Sequence, residues 1–115
     1  MLKANDPIMT VNLQISDHVA RQLASFGSGV AESADRKLAK LLEAELRRQL
    51  ARHDLTDRQL SRKYGMSFAE FERRQVTKHM GYSWEVESDA IAWETAIDGT
   101  ATVERQLSEL LHGDD

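Results

Sequence analysis

Apolar and polar residues alternate strictly in one stretch near the start of the chain, "TVNLQIS" at residues 10–16. Val11, Leu13 and Ile15 fall on one side of an extended chain, and the residues between them fall on the other. This pattern predicts a half-buried β-strand. Because a single strand cannot satisfy its own backbone, we expect its partner strand to come from a second copy of the chain. The alternative is an edge strand that pairs with a different chain, or with "SWEVE" at residues 83–87.

Apolar residues with helical spacing follow this stretch. Ser16 is a suitable N-cap for a short helix, "DHVARQLASF", which comes directly after it. A longer helix is predicted over about residues 31–53, where leucines recur every four positions from Leu38 to Leu50. Such a stripe drifts around the helix and suits packing against a crossing helix.

Capping signals divide the chain beyond residue 53 into shorter predicted helices. Thr56, Ser67, Ser88 and Thr102 are placed to begin helices, with "SWEVE" extended before Ser88. The glycines placed to end helices are Gly65, Gly81 and Gly99.

The fold class we predict is mainly α. One N-terminal β-strand forms an intersubunit ribbon, two helices follow, and a C-terminal set of short helices completes the chain, with residues 1–53 and 54–115 as two functional parts.

Charge is distributed unevenly along this chain of 115 residues, whose net charge is −4. Residues 36–78 hold 12 basic and 6 acidic groups, whereas residues 82–115 hold Arg105 as their one Lys or Arg against 9 acidic groups. Such segregation favours two kinds of partner, a polyanion for the basic part and a basic surface for the acidic part. Two solvated helical faces are the simpler alternative.

Composition indicates a cytoplasmic protein that is not an enzyme. The chain has no Cys and no long apolar run, which excludes disulfides and a membrane span and fits a reducing compartment. The four histidines lie far apart, and no paired base or orienting group accompanies the carboxylates. We therefore expect no catalytic residues, no metal and no cofactor.

The alternating stretch followed by two helices resembles the ribbon-helix-helix family, small dimeric bacterial DNA-binding proteins. The resemblance covers about residues 9–52. It implies a homodimer whose ribbon reads operator DNA in the major groove with Thr10, Asn12 and Gln14, side chains that can pair with base edges. The phosphate clamp that the family forms near the start of its second helix falls near Ser28, Gly29 and Ser33.

A second stretch, "DRQLSRKYGMSFAEFERR" at residues 57–74, looks like a helix-turn-helix. Its would-be recognition helix carries Glu70 and Glu72, whose carboxylates would repel phosphates, and Arg74 occupies a position that should be apolar. We therefore interpret this stretch as a structural two-helix hairpin.

Both tryptophans lie in an acidic stretch, "GYSWEVESDAIAWETAIDG" at residues 81–99, which has no Lys or Arg. Helical spacing places Ala90, Trp93 and Ile97 on one face, and an extended "SWEVE" would point Trp84 and Val86 the same way. Aromatic anchors among carboxylates favour a protein-binding strip. The predicted partner-binding residues are Trp84, Glu85, Val86, Glu87, Trp93 and Ile97. In the alternative interpretation, the tryptophans close a core of this protein itself.

Residues 54–99 as a whole resemble short bacterial proteins that look like antitoxins of type II toxin–antitoxin pairs. The resemblance implies a C-terminal part that neutralises a cognate toxin, commonly a basic RNA-cleaving enzyme, and an N-terminal part that represses its own operon. The hypothesis is therefore an antitoxin with a toxin, operator DNA and a second copy of itself as partners. The alternative is an α-helical adaptor that binds a basic protein and never touches DNA.

Overall fold

The computed structural model describes residues 11–27 and 32–113, and within these ranges the regular structure is entirely helical. The five helices are α1 (Asp17–Ala24), α2 (Ala34–Tyr64), α3 (Phe68–Arg73), α4 (Val76–His79) and α5 (Trp84–His112). The two long helices, α2 and α5, form an antiparallel hairpin. The short helices α3 and α4 connect them at one end, and α1 packs against the first turns of α2.

The prediction of an N-terminal β-strand is wrong for the described residues. Residues 11–16 form no regular secondary structure, and no strand occurs in 11–27 or 32–113. A strand forms only where a second strand supplies hydrogen bonds, and the described part of this chain offers none. The alternative partner, "SWEVE", is helical from Trp84 onward. The apolar residues of this alternating stretch, Val11, Leu13 and Ile15, are exposed instead of half-buried in a sheet.

Serine side chains begin both N-terminal helices. The Oγ of Ser16 accepts the backbone N–H of Val19 at 3.2 Å, which confirms the predicted cap of α1. Lys37, a buried residue of α2, joins the two helices because its Nζ donates to the carbonyl oxygen of Ala24 at 2.7 Å. This bond places the ammonium group at the negative end of α1.

The helix α2 is longer than its predicted extent of residues 31–53. It continues without a break across the boundary expected after residue 53 and ends at the predicted stop, Gly65, which has a left-handed backbone with φ +69°. Thr56 does not begin a new helix, because its Oγ donates to the carbonyl oxygen of Arg52 one turn earlier.

Two short helices turn the chain back toward α2. Ser67 caps α3 through a hydrogen bond from the backbone N–H of Glu70, as its position in the sequence predicts. Positive φ values at Gln75 and Gly81 then separate α3, α4 and the start of α5. The result is a compact connection that brings the first turn of α5 beside the last turns of α2.

The C-terminal set of short helices that we predicted is one continuous helix, α5, capped by Ser83. Gly99 does not end a helix, since it lies in the middle of α5 and faces the imidazole of His53 on α2. A glycine signal that looks like a stop is therefore a point of close helix approach. Thr102 likewise lies inside α5 and begins no helix.

The core lies where α3 closes the end of the hairpin. Leu60 of α2, Phe71 of α3, and Val86 and Trp93 of α5 form one buried cluster. Farther along α5, the residues buried against α2 are Ala96, Val103 and Leu107. Periodic burial along one side of α5 fixes its rotation, and the opposite side faces solvent.

Candidate protein-binding surface

Trp93 belongs to the core of this protein. It is fully buried, and its ring lies between Phe68, Phe71 and Tyr64, with centroid distances of 5.3, 5.1 and 6.0 Å. Its indole Nε1–H donates to Oδ1 of Asp57 on α2 at 2.8 Å, so that the one polar atom of the side chain has a partner. The interpretation of an internal core therefore holds for Trp93.

A polar cluster beside this core fixes the start of α5 on the end of α2. The Nζ of Lys63 donates to Oε2 of Glu85 and to Oδ2 of Asp89, each at 2.6 Å, and the hydroxyl of Tyr64 also donates to Oδ2 of Asp89 at 2.6 Å. Glu85 thus has a partner within the chain. Its role in binding another protein stays a prediction.

The ionisation of this polar cluster follows from its contacts. Burial works to raise the pKa of Asp89, but the hydrogen bonds from Lys63 and Tyr64 outweigh it and hold that pKa below its ordinary value. Burial, together with the bond to Asp89, raises the pKa of Tyr64 to about 12. The two carboxylates raise the pKa of Lys63. At neutral pH Lys63 is therefore an ammonium, Tyr64 a neutral phenol and Asp89 a carboxylate.

The opposite side of α5 carries large apolar side chains in solvent. Trp84 is 81% exposed and Ile91 is 66% exposed. They are seven residues apart, two turns of the helix, and so lie on one face. Such an exposed indole is unusual, because Trp is normally well buried. This pair is the most conspicuous apolar feature of the C-terminal half.

Carboxylates flank these two side chains on the same side of the helix. Glu87 lies one turn after Trp84, Glu94 lies one turn after Ile91, and Asp98 lies one turn after Glu94. The one Lys or Arg of α5, Arg105, comes two turns beyond Asp98. We call the side formed by Trp84, Glu87, Ile91, Glu94 and Asp98 the acidic face of α5.

The residues predicted to bind a partner divide between this face and the core. Trp84 and Glu87 lie on the acidic face, whereas Val86 and Trp93 are buried and Ile97 packs against the core cluster. In an extended "SWEVE", Trp84 and Val86 would point the same way. Residues two apart on a helix do not share a face, so the helix sends them to opposite sides.

Like Glu94 and Asp98, Ile91 is a residue of the acidic face that the sequence analysis missed. The signal that could have found it is its spacing of seven from Trp84, which is informative only once α5 is known to begin at Ser83. If "SWEVE" is taken as extended, the helix begins only after Ser88. Trp84 and Ile91 then do not belong to the same helix, and their spacing carries no information.

The residues predicted to contact DNA are not brought together into a site among the described residues. Asn12 and Gln14 are exposed in a segment without regular structure, and Ser33 uses its Oγ to cap α2 by accepting the N–H of Arg36 at 3.2 Å. Thr10, Ser28 and Gly29 lie outside the described residues. The strand that was to carry Asn12 and Gln14 into a groove is not formed.

Some of the positive charge of α2, which holds nine basic and five acidic side chains, is paired with neighbouring carboxylates of the same helix. Paired groups along α2 are Arg47 with Glu43 at 2.8 Å, Arg48 with Glu45 at 2.9 Å and Arg58 with Asp54 at 3.0 Å. Such exposed pairs add little stability. They do lower the local positive potential, which weakens the case for a polyanion-binding surface on this helix.

The helix-turn-helix-like stretch is a structural hairpin in this fold. Phe71 of α3 is buried in the core cluster, and Phe68 packs against that cluster. Glu70 binds Arg73 and Arg74 on the same short helix, and these arginines hold the pKa of its carboxyl below the ordinary value. The principal apolar side chains of α3 thus serve to close the α2–α5 hairpin.

Within residues 11–27 and 32–113, no group of His, Cys, Asp or Glu side chains has the arrangement of a metal site. The helices described in the same ranges include none that is both long and apolar enough to cross a membrane. No protein-family model matches this chain, and neither a curated protein nor a solved structure matches it.

Proposed function

We propose that this protein is a non-enzymatic binding protein of the antitoxin class, which holds a basic protein partner against the acidic face of α5. One observation carries the proposal: Trp84 and Ile91 are solvent-exposed on a helical face whose charged groups, from residue 84 to residue 98, are all carboxylates. Large apolar anchors with an acidic rim are typical of surfaces that bind basic proteins.

The rigidity of the acidic face supports this proposal. Trp93 and Val86 anchor the other side of α5 in the core, and the bonds of Lys63 to Glu85 and Asp89 fix its first turns. A preformed helical face loses little conformational freedom on binding, so more of its contact energy appears as affinity. Trp84 would then make the central apolar contact with the partner. Glu87, Glu94 and Asp98 would steer a basic partner toward it.

Operator DNA is not included among the proposed partners. The ribbon that was predicted to read DNA is absent from the described residues. Several basic side chains of α2 are also paired with carboxylates. The proposed protein partner is therefore a small basic protein encoded beside this gene, as the cognate toxin of an antitoxin would be. An adaptor that binds a basic protein without neutralising it would use the same face.

Growth rescue tests the proposal. The gene next to this one should encode a small basic protein whose expression arrests growth, and co-expression of the wild-type chain should restore growth. Trp84→Ala combined with Ile91→Ala should abolish rescue while leaving the melting temperature unchanged, because both side chains are exposed. The matched control is Leu55→Ala. Leu55 is an exposed side chain on α2 outside the acidic face, so this variant should rescue fully.

The outcomes separate the two candidate functions. Rescue lost in the double variant supports neutralisation through the acidic face. Binding without any rescue by the wild-type chain supports the adaptor, and undiminished rescue by the double variant contradicts the proposed surface.

A further inference from the structure

An apolar groove occupies the other end of the molecule, between the segment that precedes α1, α1 itself and the first turns of α2. Its volume is about 330 Å³, and its main apolar walls are Leu13, Ile15, Val19, Phe26 and Leu38. Every residue that lines it is uncharged. We call it the N-terminal groove.

The side chains that line the groove are far more exposed than core residues of this kind. Leu13 is 69% exposed, and Ile15, Val19 and Phe26 are each about half exposed. Leu42, one turn after Leu38 on the same face of α2, is also more than half exposed. Together with Leu38, these side chains leave on the order of 600 Å² of largely apolar surface in water, the upper end of what a monomer exposes in one patch.

That area is close to what one subunit contributes to a stable dimer. A standard protein–protein interface buries about 800 Å² on each partner, and homodimer interfaces are more apolar than others. The apolar patch supplies most of such an area before any polar rim is added. Ion pairs of Glu32 with Arg36 and Lys40 lie at the start of α2 beside the groove and can supply that rim.

Charge distinguishes this surface from the acidic face of α5. A surface that meets its own copy across a two-fold axis must be complementary to itself. The acidic face fails this condition, because carboxylates would meet carboxylates without basic groups between them. The N-terminal groove is self-complementary in this sense. Its lining carries no charge, and apolar side chains pack against their equivalents without repulsion.

We propose that the N-terminal groove is the interface through which two copies of this chain associate. The contact is made by apolar side chains of the segment before α1, of α1 and of the first turns of α2. It does not depend on the proposed function of α5, which lies on a different surface. Burial of Leu13, Val19, Phe26 and Leu38 against the second copy removes the exposed apolar area from water.

Sedimentation of the full-length chain tests the interface. The wild-type protein should have a mass of about twice 13.0 kDa at micromolar concentration and should dissociate on dilution. Leu13→Glu places a charge in the interface and should raise the dissociation constant at least tenfold. Because Leu13 lies outside every helix and is mostly exposed, this variant should keep the wild-type melting curve of the monomer.

Two further variants make the test specific. Leu55→Glu introduces the same charge at a half-exposed leucine of α2 away from the groove, and it should dimerise like the wild type. Trp84→Ala should also dimerise normally. A wild-type chain that stays monomeric at all concentrations overturns the proposal. Equal dissociation of the Leu13 and Leu55 variants, or loss of the dimer only in Trp84→Ala, overturns it as well.

Discussion

The imidazole of His53 lies directly over Gly99, where α2 and α5 approach each other. A Cβ atom built on Gly99 would lie 2.6 Å from Cε1 and 2.7 Å from Cδ2 of that ring, and closer still to Nε2. These separations are well inside van der Waals contact. A side chain on Gly99 would therefore require the His53 ring to move or the two long helices to separate.

Gly99→Ala should destabilise the protein by about 1–3 kcal/mol, because the added methyl group displaces His53 or separates the helices. Intrinsic helix propensity alone would predict the reverse, a gain of about 1 kcal/mol from Gly to Ala. The sign of the change measured by chemical denaturation decides between the two effects. In a His53→Ala background the clash is gone, and Gly99→Ala should become neutral or stabilising.

Asp57→Ala should cost about 1–3 kcal/mol, because it leaves the buried indole N–H of Trp93 without an acceptor. Asp57→Asn keeps an amide oxygen at the same place and should cost clearly less. Urea denaturation of the three proteins measures the difference. Identical losses in both variants would show that the hydrogen bond to Trp93 is not the cause.

The two tryptophans should differ sharply in their contribution to stability. Trp93→Ala removes the centre of the core cluster and should cost about 3–5 kcal/mol. Trp84→Ala should change the free energy of unfolding by no more than about 0.5 kcal/mol, since its side chain is exposed. Early melting of the Trp84 variant would mean that this side chain is packed in solution.

Stability should fall at alkaline pH as Tyr64 ionises. Its pKa is about 12 in the folded chain against an ordinary value of 10.0, so the phenol contributes stability that is complete below pH 10 and lost as the pH rises to about 12. A phenolate absorbance titration of Tyr82→Phe, in which Tyr64 is the remaining tyrosine, measures the pKa directly. Asp89→Asn should lower it. A midpoint near 10 in the folded protein would contradict the hydrogen bond.

Local signals in the sequence located several helix boundaries but not the tertiary contacts. Ser16, Gly65 and Ser67 act as the caps and stop that were predicted, because a cap is satisfied by residues within one turn of it. Gly99 carries the same local signal with a different meaning. Its role depends on His53, 46 positions away, and no local pattern contains that information.

At the candidate site, too, the sequence predicted local features but not the tertiary contacts. The spacing of Ala90, Trp93 and Ile97 correctly placed them on one helical face, and that face is the core side of α5. Which side of a helix is buried depends on what packs against it, and a short alternating stretch such as "SWEVE" does not show whether it belongs to a helix. The error at residues 10–16 has a related cause, since alternation indicates an extended chain but not the strand that would pair with it.

The most direct test of the proposed function is ¹⁹F NMR of this chain labelled with 5-fluorotryptophan and mixed with its unlabelled basic partner. The two tryptophans give two resonances, and Trp84→Phe assigns the one from the exposed ring. Binding to the acidic face should shift the Trp84 resonance and remove its sensitivity to solvent, while the Trp93 resonance stays in place. In a separate calorimetric titration, Trp84→Ala should weaken binding by about 2 kcal/mol, roughly 30-fold in the dissociation constant. An unchanged Trp84 resonance at saturating partner, with full affinity retained by Trp84→Ala, would contradict the account.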